Sequence, residues 1–405
     1  MSGKGSGLIA PSWSSGTMMA IDASPQFVFK VSKYCNLRCD YCYEFPYLAN
    51  KARMSLDQIR AAFQNIKSSV TELAIAKADF IWHGGEPFLI PLEFYEDVNL
   101  VQKVIFGTEF KYFNSVQTNL TVLTERHIDF LERGFFSDIG VSFDVYGDQR
   151  IDTAGKSRTE LVRANIHKLI DHQIRFCAIA VLARHALPSI KRIYRFFDEL
   201  GIDHRILAYY RSVSSKQAER HGLDFDELVS AYKDVFHEWL TSARATPVDP
   251  IRDYVRYAVR HVTGVNDNRY DRSASERVFV IDVNGNVFNV VESYEPEFCY
   301  GNLFSSSFRE IALSEARVRS IALSRERMQR FCHQCPYFGN CPGIFVANAT
   351  SVERQILEAS GCPVRDMIDH ILDVFKRADL NNFILESYNA DDNASANARP
   401  AMSVA

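Results

Sequence analysis

The sequence predicts an α/β fold in which helices flank a mainly parallel sheet, followed by a second, smaller domain. Three observations predict it. Strand-like and helix-like stretches alternate at least six times between Phe27 and Tyr210, the order that builds parallel sheets. A hairpin pattern, VFVIDVNGNVFNV from Val278 to Val290, then breaks the rhythm, with Asn284-Gly285 at its turn. Finally, a chain of 405 residues exceeds the size at which one core usually keeps growing.

Residues 1–24 are rich in Gly and Ser and are expected to be flexible. FVFKVS, from Phe27 to Ser32, reads as the first strand. In SLDQIRAAFQNIKSSVTEL, Ile59, Ala62, Phe63 and Ile66 share one helical face and Ser55 is placed to cap it. ADFIWHG, KYFNSVQTN, DIGVSFDV, RFCAIAVL and HRILAYY read as further strands. Between them lie the helical stretches EFYEDVNLVQKVIF, TERHIDFLERG, TELVRANIHKLIDHQ and LPSIKRIYRFFDELG, the last stopped by Gly201. These units occupy residues 25–222, and residues 223–277 form a helical bridge with amphipathic pieces YKDVFHEWL and IRDYVRYAVRHV. The second domain is expected over 278–370, and a C-terminal helix with a flexible tail over 371–405.

Composition narrows the function. Forty-six Lys and Arg against fifty Asp and Glu give −4 at neutral pH with no basic tract, which argues against nucleic acid as an obligate partner. No stretch approaches 18 uninterrupted apolar residues, so no membrane span is expected. The start of the chain lacks the basic and apolar runs of a secretory signal. Nine cysteines, an odd number held in clusters, suit a reducing, cytoplasmic setting better than a disulfide scaffold.

The chemistry is concentrated at KVSKYCNLRCDYCYEF, where Cys35, Cys39 and Cys42 stand in a C-x3-C-x2-C pattern on the loop leaving the first strand. Three such thiolates can hold three irons of a [4Fe–4S] cube and leave the fourth without a protein ligand. Zinc and plain core cysteines are the competing readings, although zinc wants a fourth ligand. A second set, CHQCPYFGNCPG, supplies Cys332, Cys335 and Cys341, with Cys362 after a gap. Four thiolates close either a tetrahedral zinc site or a fully ligated second cluster. In parallel sheets ligands sit beyond the carboxyl ends of strands. Those ends carry Cys35, Gly84, Gly85, Glu86, Pro87, Asn119, Ser142, Asp144 and Arg184. Taken alone, Gly-Gly-Glu-Pro is also what a simple strand-to-loop turn needs.

The first cysteine pattern, with Tyr41 before its last cysteine, resembles the cluster loop of the radical S-adenosylmethionine (SAM) enzymes. That resemblance implies a partial (β/α)6 barrel, where periodicity alone would equally allow a doubly wound sheet. It implies a [4Fe–4S] cluster whose open iron chelates SAM, and an electron from an external donor such as flavodoxin or ferredoxin. It further implies that Gly84, Gly85, Glu86 and Pro87 hold the methionyl amino group, that Ser142 lies near the ribose, that Asn119, at the Thr-Asn end of another family strand, also contacts the cofactor, and that Arg184 reaches the carboxylate. The second cysteine set, preceded by GNLF and FREI, resembles the auxiliary-cluster part of a SPASM domain. Two departures stand out: Phe345 and Asn289 occupy places where that domain puts further thiols, and Cys299 is alone nearby. One auxiliary cluster is therefore expected and not two, making two [4Fe–4S] clusters in the chain.

VSFDVYGDQRIDTAGKSRTELVRANIHKLIDHQ and IAVLARHALPSIKRIYRFFDELGI resemble the maturases of ribosomally made peptides that join an aromatic ring carbon to a β-carbon. The resemblance implies a precursor-peptide substrate and a cyclophane-type carbon–carbon cross-link. Formylglycine-forming sulfatase maturation, action on a free amino acid or small metabolite, and a non-enzymatic iron–sulfur electron carrier stand as alternatives. Asp144 and Glu292 are the candidate acid–base residues, with capping or surface roles as the plainer reading.

Overall fold

In the computed structural model the described residues are 21–378, apart from 210, 212–214 and 292–294. The expected flexible start, the tail beyond Ala378 and Glu292 lie outside them. The strands are β1 (Gln26–Ser32), β2 (Lys77–Gly84), β3 (Lys111–Thr118), β4 (Asp138–Ser142), β5 (Cys177–Leu182), β6 (His204–Ala208), β7 (Val248–Asp249), β8 (Val278–Ile281), β9 (Asn286–Phe288) and β10 (Gly301–Asn302). They form one ten-stranded sheet in the order β10-β9-β8-β1-β2-β3-β4-β5-β6-β7. All neighbours from β8 through β1 to β7 are parallel, and only the β8–β9 and β9–β10 pairs are antiparallel.

Helices α1 (Leu56–Lys67), α2 (Leu92–Phe106), α3 (Glu125–Glu132), α4 (Thr159–Asp171) and α5 (Ile190–Leu200) follow β1 to β5 in turn. This is an α/β fold of the partial-barrel kind, an open, mainly parallel sheet with a helix after each of β1 to β5 and a small C-terminal extension. Ser55 caps α1 as read from sequence, and Gln58 returns the bond to close a capping box. The buried face of α1 is Ile59, Ala62, Phe63 and Ile66, the four residues that periodicity selects. Phe63 packs on Phe80 of β2 and edge-on to Phe29 of β1, so alternate strand residues feed the helix side. The opposite alternation of β1 and β2 places Val28 and Ile81 in a separate cluster with Val278 and Val280.

The bridge contains α6 (Ser215–His221), α7 (Phe225–Thr241) and α8 (Ile251–Thr263), with β7 between the last two adding an edge strand. The expected hairpin is present, with Gly285 at φ 90° at its turn. It does not stand apart: β8 lies beside β1 with Val278 opposite Gln26, so the hairpin extends the barrel sheet. Beyond it come α9 (Arg272–Ser275, just before β8), α10 (Phe308–Ala312), α11 (Glu315–Phe331), α12 (Ile344–Ala347), α13 (Ser351–Ser360) and α14 (Pro363–Ala378). Helix α14 packs back on α7 and α8, which returns the end of the described chain to the barrel. Among the described residues no helix is long and apolar enough to cross a membrane.

Candidate active site

A cavity of about 400 Å³ opens at the carboxyl ends of the parallel strands. The wall combines Cys35, Cys39 and Cys42 with Gly84, Gly85, Asn119 and Ser142, all singled out by sequence. Strand alternation supplies much of the rest: Ile179 and Val181 from β5, and Arg205 and Leu207 from β6, each two residues apart.

The cysteine loop is fixed by its neighbours. Asn119 sends its amide to the sulfur of Cys35 at 3.5 Å and to Asn36 Oδ1 at 3.1 Å. Gly85 N–H donates to Ser32 O at 2.7 Å and Glu86 N–H to Tyr34 O at 3.0 Å, tying the Gly-Gly turn to the stretch that launches the loop. A β-carbon at Gly85 would collide with the carbonyl oxygens of Lys33 and Tyr34, and one at Gly84 with that of Ser32. Both glycines are therefore required by close backbone packing. From the other side, Gln217 of α6 donates to Asp40 O at 2.7 Å, and the Arg220 and His221 side chains approach the Asp40 carboxylate.

Glu86 is buried, and both of its oxygens accept from protein donors. Phe88 N–H lies at 2.9 Å, the Thr118 hydroxyl at 2.7 Å and Asn119 N–H at 2.6 Å. Burial pushes its carboxyl up to about 7, against hydrogen bonds that favour the charged form. It braces the end of β3 against the Gly-Gly turn and does not line the cavity; Pro87 is buried behind it. Asp144 is equally committed: Oδ1 accepts from Val181 N–H at 2.9 Å, while Oδ2 takes the Tyr41 hydroxyl and lies 3.3 Å from Arg150. It joins the cysteine loop to β5 and faces no open space. Arg184 lies half-exposed, with its fork on Glu227 at 2.5 and 2.9 Å and a further bond to Gly222 O. It links the segment after β5 to α7 and is not part of the cavity wall.

Sequence reasoning missed Arg150, Gln117 and Glu353, which all line the cavity. Arg150 is buried, and its Nε has no hydrogen-bond partner among the described residues. Gln117 bonds Ser142 Oγ at 2.7 Å through its amide nitrogen. The one available signal for Gln117 was its place two residues before Asn119, on the same face of a strand. Arg150 lies in the irregular loop after β4, where no periodicity points inward.

The second cysteine set meets around a small cavity near the C-terminal end of α11, lined by Cys332, Cys335, Cys341 and Cys362 with Phe345. Cys332 caps α11, and Cys362 directly precedes α14, where helix N–H groups favour thiolate. Gly343, at φ 78°, allows the approach of Cys332 and Met328, whose atoms a β-carbon would crowd. Burial pushes Cys35, Cys42 and Cys341 up to about 12 and Cys362 up to about 11. Such buried thiols ionise at neutral pH when a positive centre binds them, so both donor sets fit an iron–sulfur group. Among the described residues, no three Cys, His, Asp or Glu side chains converge as a single metal ion requires. A cube takes one thiolate per corner iron, so its cysteines need only share a cavity wall.

The places marked by departures in sequence hold other interactions. Asn289 is buried and bonds Tyr300 at 3.0 Å and Ser320 at 2.9 Å. Phe345 packs edge-on against Phe225. Nearby, Arg317 pairs with Glu276 at 2.7 Å, and Tyr300 donates to the same carboxylate at 3.1 Å. This buried polar network surrounds Asn289 in place of further sulfur donors.

Comparison with known proteins places this arrangement. Residues 29–197 match the family model described as the radical SAM superfamily. Those residues belong to that superfamily. The radical SAM domain thus spans β1 to α5 and contains the cysteine loop, the Gly-Gly turn and Asn119. The chain is also 24% identical over 361 residues to a serine-type anaerobic sulfatase-maturating enzyme of Bacteroides thetaiotaomicron, covering 81% of this chain and 84% of that protein. A cysteine-type counterpart from Clostridium perfringens is 22% identical over 321 residues, covering 77% and 86%. Among solved structures, native anSMEcpe with bound AdoMet and Cp18Cys peptide is similar in fold, with TM-score 0.66 and 18% identity over 86% of this chain and 99% of that one. Streptococcus suis SuiB bound to S-adenosylmethionine gives 0.56 at 13% identity, covering 85% and 76%. The chain thus resembles sulfatase-maturating enzymes in sequence and both anSMEcpe and SuiB in fold, without matching one type.

Proposed function

We propose that this radical SAM enzyme oxidises a side chain of a peptide substrate in the manner of formylglycine formation. The observation that carries the reading is the shared cavity. Three cysteines, two glycines, Asn119, Ser142 and an Arg150 nitrogen without a partner meet at the open end of one parallel sheet. Similarity to sulfatase-maturating enzymes over some four-fifths of the chain favours side-chain oxidation over the cyclophane cross-link expected from sequence.

In this reading Cys35, Cys39 and Cys42 hold the catalytic cluster, and Cys332, Cys335, Cys341 and Cys362 hold a single auxiliary one. When bound and reduced by an external one-electron donor, the first cluster and SAM would supply a 5'-deoxyadenosyl radical able to take one hydrogen atom from the substrate, and the second electron and proton of the oxidation would pass to the auxiliary cluster and to solvent. The chain's own residues do the positioning. Gly84 and Gly85 bring backbone close to the cofactor's amino group, and Glu86 keeps that turn in place from behind. Asn119 and Ser142 face the ribose. Arg150 takes the carboxylate, the part that the resemblance assigned to Arg184, because it lines the cavity and its Nε has no hydrogen-bond partner among the described residues. The apolar wall of Ile179, Val181, Leu207 and Val290 excludes water from the reacting carbon.

The test is incubation of the anaerobically reconstituted, reduced enzyme with SAM and peptides carrying Ser, Cys or an aromatic pair. Oxidation predicts a modified Ser or Cys that reacts with a hydrazide probe for aldehydes. A product that loses hydrogen, ignores the probe and fails to fragment between two residues would instead establish a cross-link.

A further inference from the structure

Among the described residues two carboxylates line the cavity, Glu44 and Glu353. Glu44 is buried beside the cysteine loop, 3.9 Å from the Lys30 ammonium. Glu353 is placed differently. It comes from α13, in the segment between Cys341 and Cys362, and reaches the barrel cavity from the C-terminal extension. Its Oε2 accepts the Thr350 N–H at 2.8 Å and closes the capping box of α13. Beyond Thr350, whose backbone and side chain both meet the carboxylate, Glu353 has no hydrogen-bond or ion-pair partner among the described residues, although the Arg211 and Arg327 charges act on it from a distance. The same cavity presents Val181, Leu207, Ala208 and Val290, which offer a substrate no side-chain hydrogen bond.

We propose that Glu353 is the substrate-contacting carboxylate of this site, accepting a hydrogen bond from the hydroxyl, thiol or N–H of the peptide's reacting side chain. The inference rests on the reading of the chain as a peptide-modifying enzyme. A carboxylate held only by its own helix cap is oriented in advance for a donor, and charge-assisted bonds are the stronger kind. Burial raises the carboxyl of Glu353, against its charged form, and a donor from the substrate would offset that cost. Asp144, the sequence candidate that lies among the described residues, lacks this combination, since both of its oxygens are engaged.

The experiment is a double-mutant cycle of binding, run without reductant so that no turnover occurs. It uses a Ser peptide that the wild-type enzyme modifies and the same peptide with Ala at the reacting position. Protein carrying clusters and SAM should bind the Ser peptide about ten- to a hundredfold tighter than the Ala peptide. In Glu353→Gln that ratio should shrink to a few-fold, because the neutral amide is a weaker acceptor. Glutamine also serves a capping box, so the start of α13 is preserved and SAM affinity should not change. Thr350→Ala weakens the same cap but keeps the carboxylate, and it should retain the wild-type ratio. An equal Ser/Ala ratio in wild type and Glu353→Gln overturns the proposal, as does loss of the ratio in Thr350→Ala. If the wild-type enzyme modifies no peptide at all, the reading beneath the proposal fails, and that outcome is distinct from the other two.

Discussion

Replacing Cys35, Cys39 and Cys42 together by alanine is expected to halve the iron and sulfide of the reconstituted enzyme, from about eight of each to about four. The other half should remain, because Cys332, Cys335, Cys341 and Cys362 line a separate cavity of the fold. All reductive cleavage of SAM should be lost with the first half, since the second set has four thiols and leaves no iron open. Cys299→Ala should leave the content near about eight, as Asn289 and Phe345 leave that cysteine without companions. Colorimetric iron and sulfide analysis with product chromatography checks both parts. A wild-type content near about twelve, or zinc in place of four irons, would contradict the assignment of the second set.

The largest effect on stability is expected from the ion pair in the C-terminal region. Arg317 is fully buried and Glu276 nearly so, with Nε and Oε2 2.7 Å apart. Arg317 also donates to Ala312 O at 2.9 Å, and Glu276 receives the Tyr300 hydroxyl. Glu276→Ala strands a guanidinium charge and a hydroxyl in the interior and should cost about 3–5 kcal/mol. Replacing both partners by apolar residues of similar size, Glu276→Leu with Arg317→Met, should recover much of that loss. Denaturant unfolding of the wild type and the two variants checks this, and a loss below about 1 kcal/mol in Glu276→Ala would show that the pair is solvated or replaceable.

Much of the fold was legible because local and tertiary signals agree over residues 25–222. The buried face of α1 and its Ser55 cap follow from spacing alone, and β1 is buried along its whole length as a central parallel strand should be. The extra edge strand β7 was not legible, since two residues carry no period. Nor was the joining of the hairpin to β1, because period-2 alternation shows which face is buried and not which strand will be the neighbour. The site divides along the same line. Cys35, Gly84, Gly85, Asn119 and Ser142 reach one cavity because a parallel sheet brings strand ends together whatever the loops do. Arg184 and Asp144 were placed at strand ends correctly but act as braces, since the partners Glu227 and Tyr41 come from segments whose approach only tertiary structure defines. Glu353 was not singled out from sequence, where its spacing from Thr350 marks only a helix cap; the structure shows that cap and also places the residue in the cavity wall. One side chain can hold both positions, and sequence spacing reports only the local one.

The most direct measurement of the central claim is the fate of SAM in the reduced, anaerobically reconstituted wild-type enzyme. 5'-Deoxyadenosine and methionine are expected in equal amounts, formed only with reductant and lost in the Cys35/Cys39/Cys42 triple variant. Intact SAM under these conditions, or S-adenosylhomocysteine as the sole product, would contradict that claim.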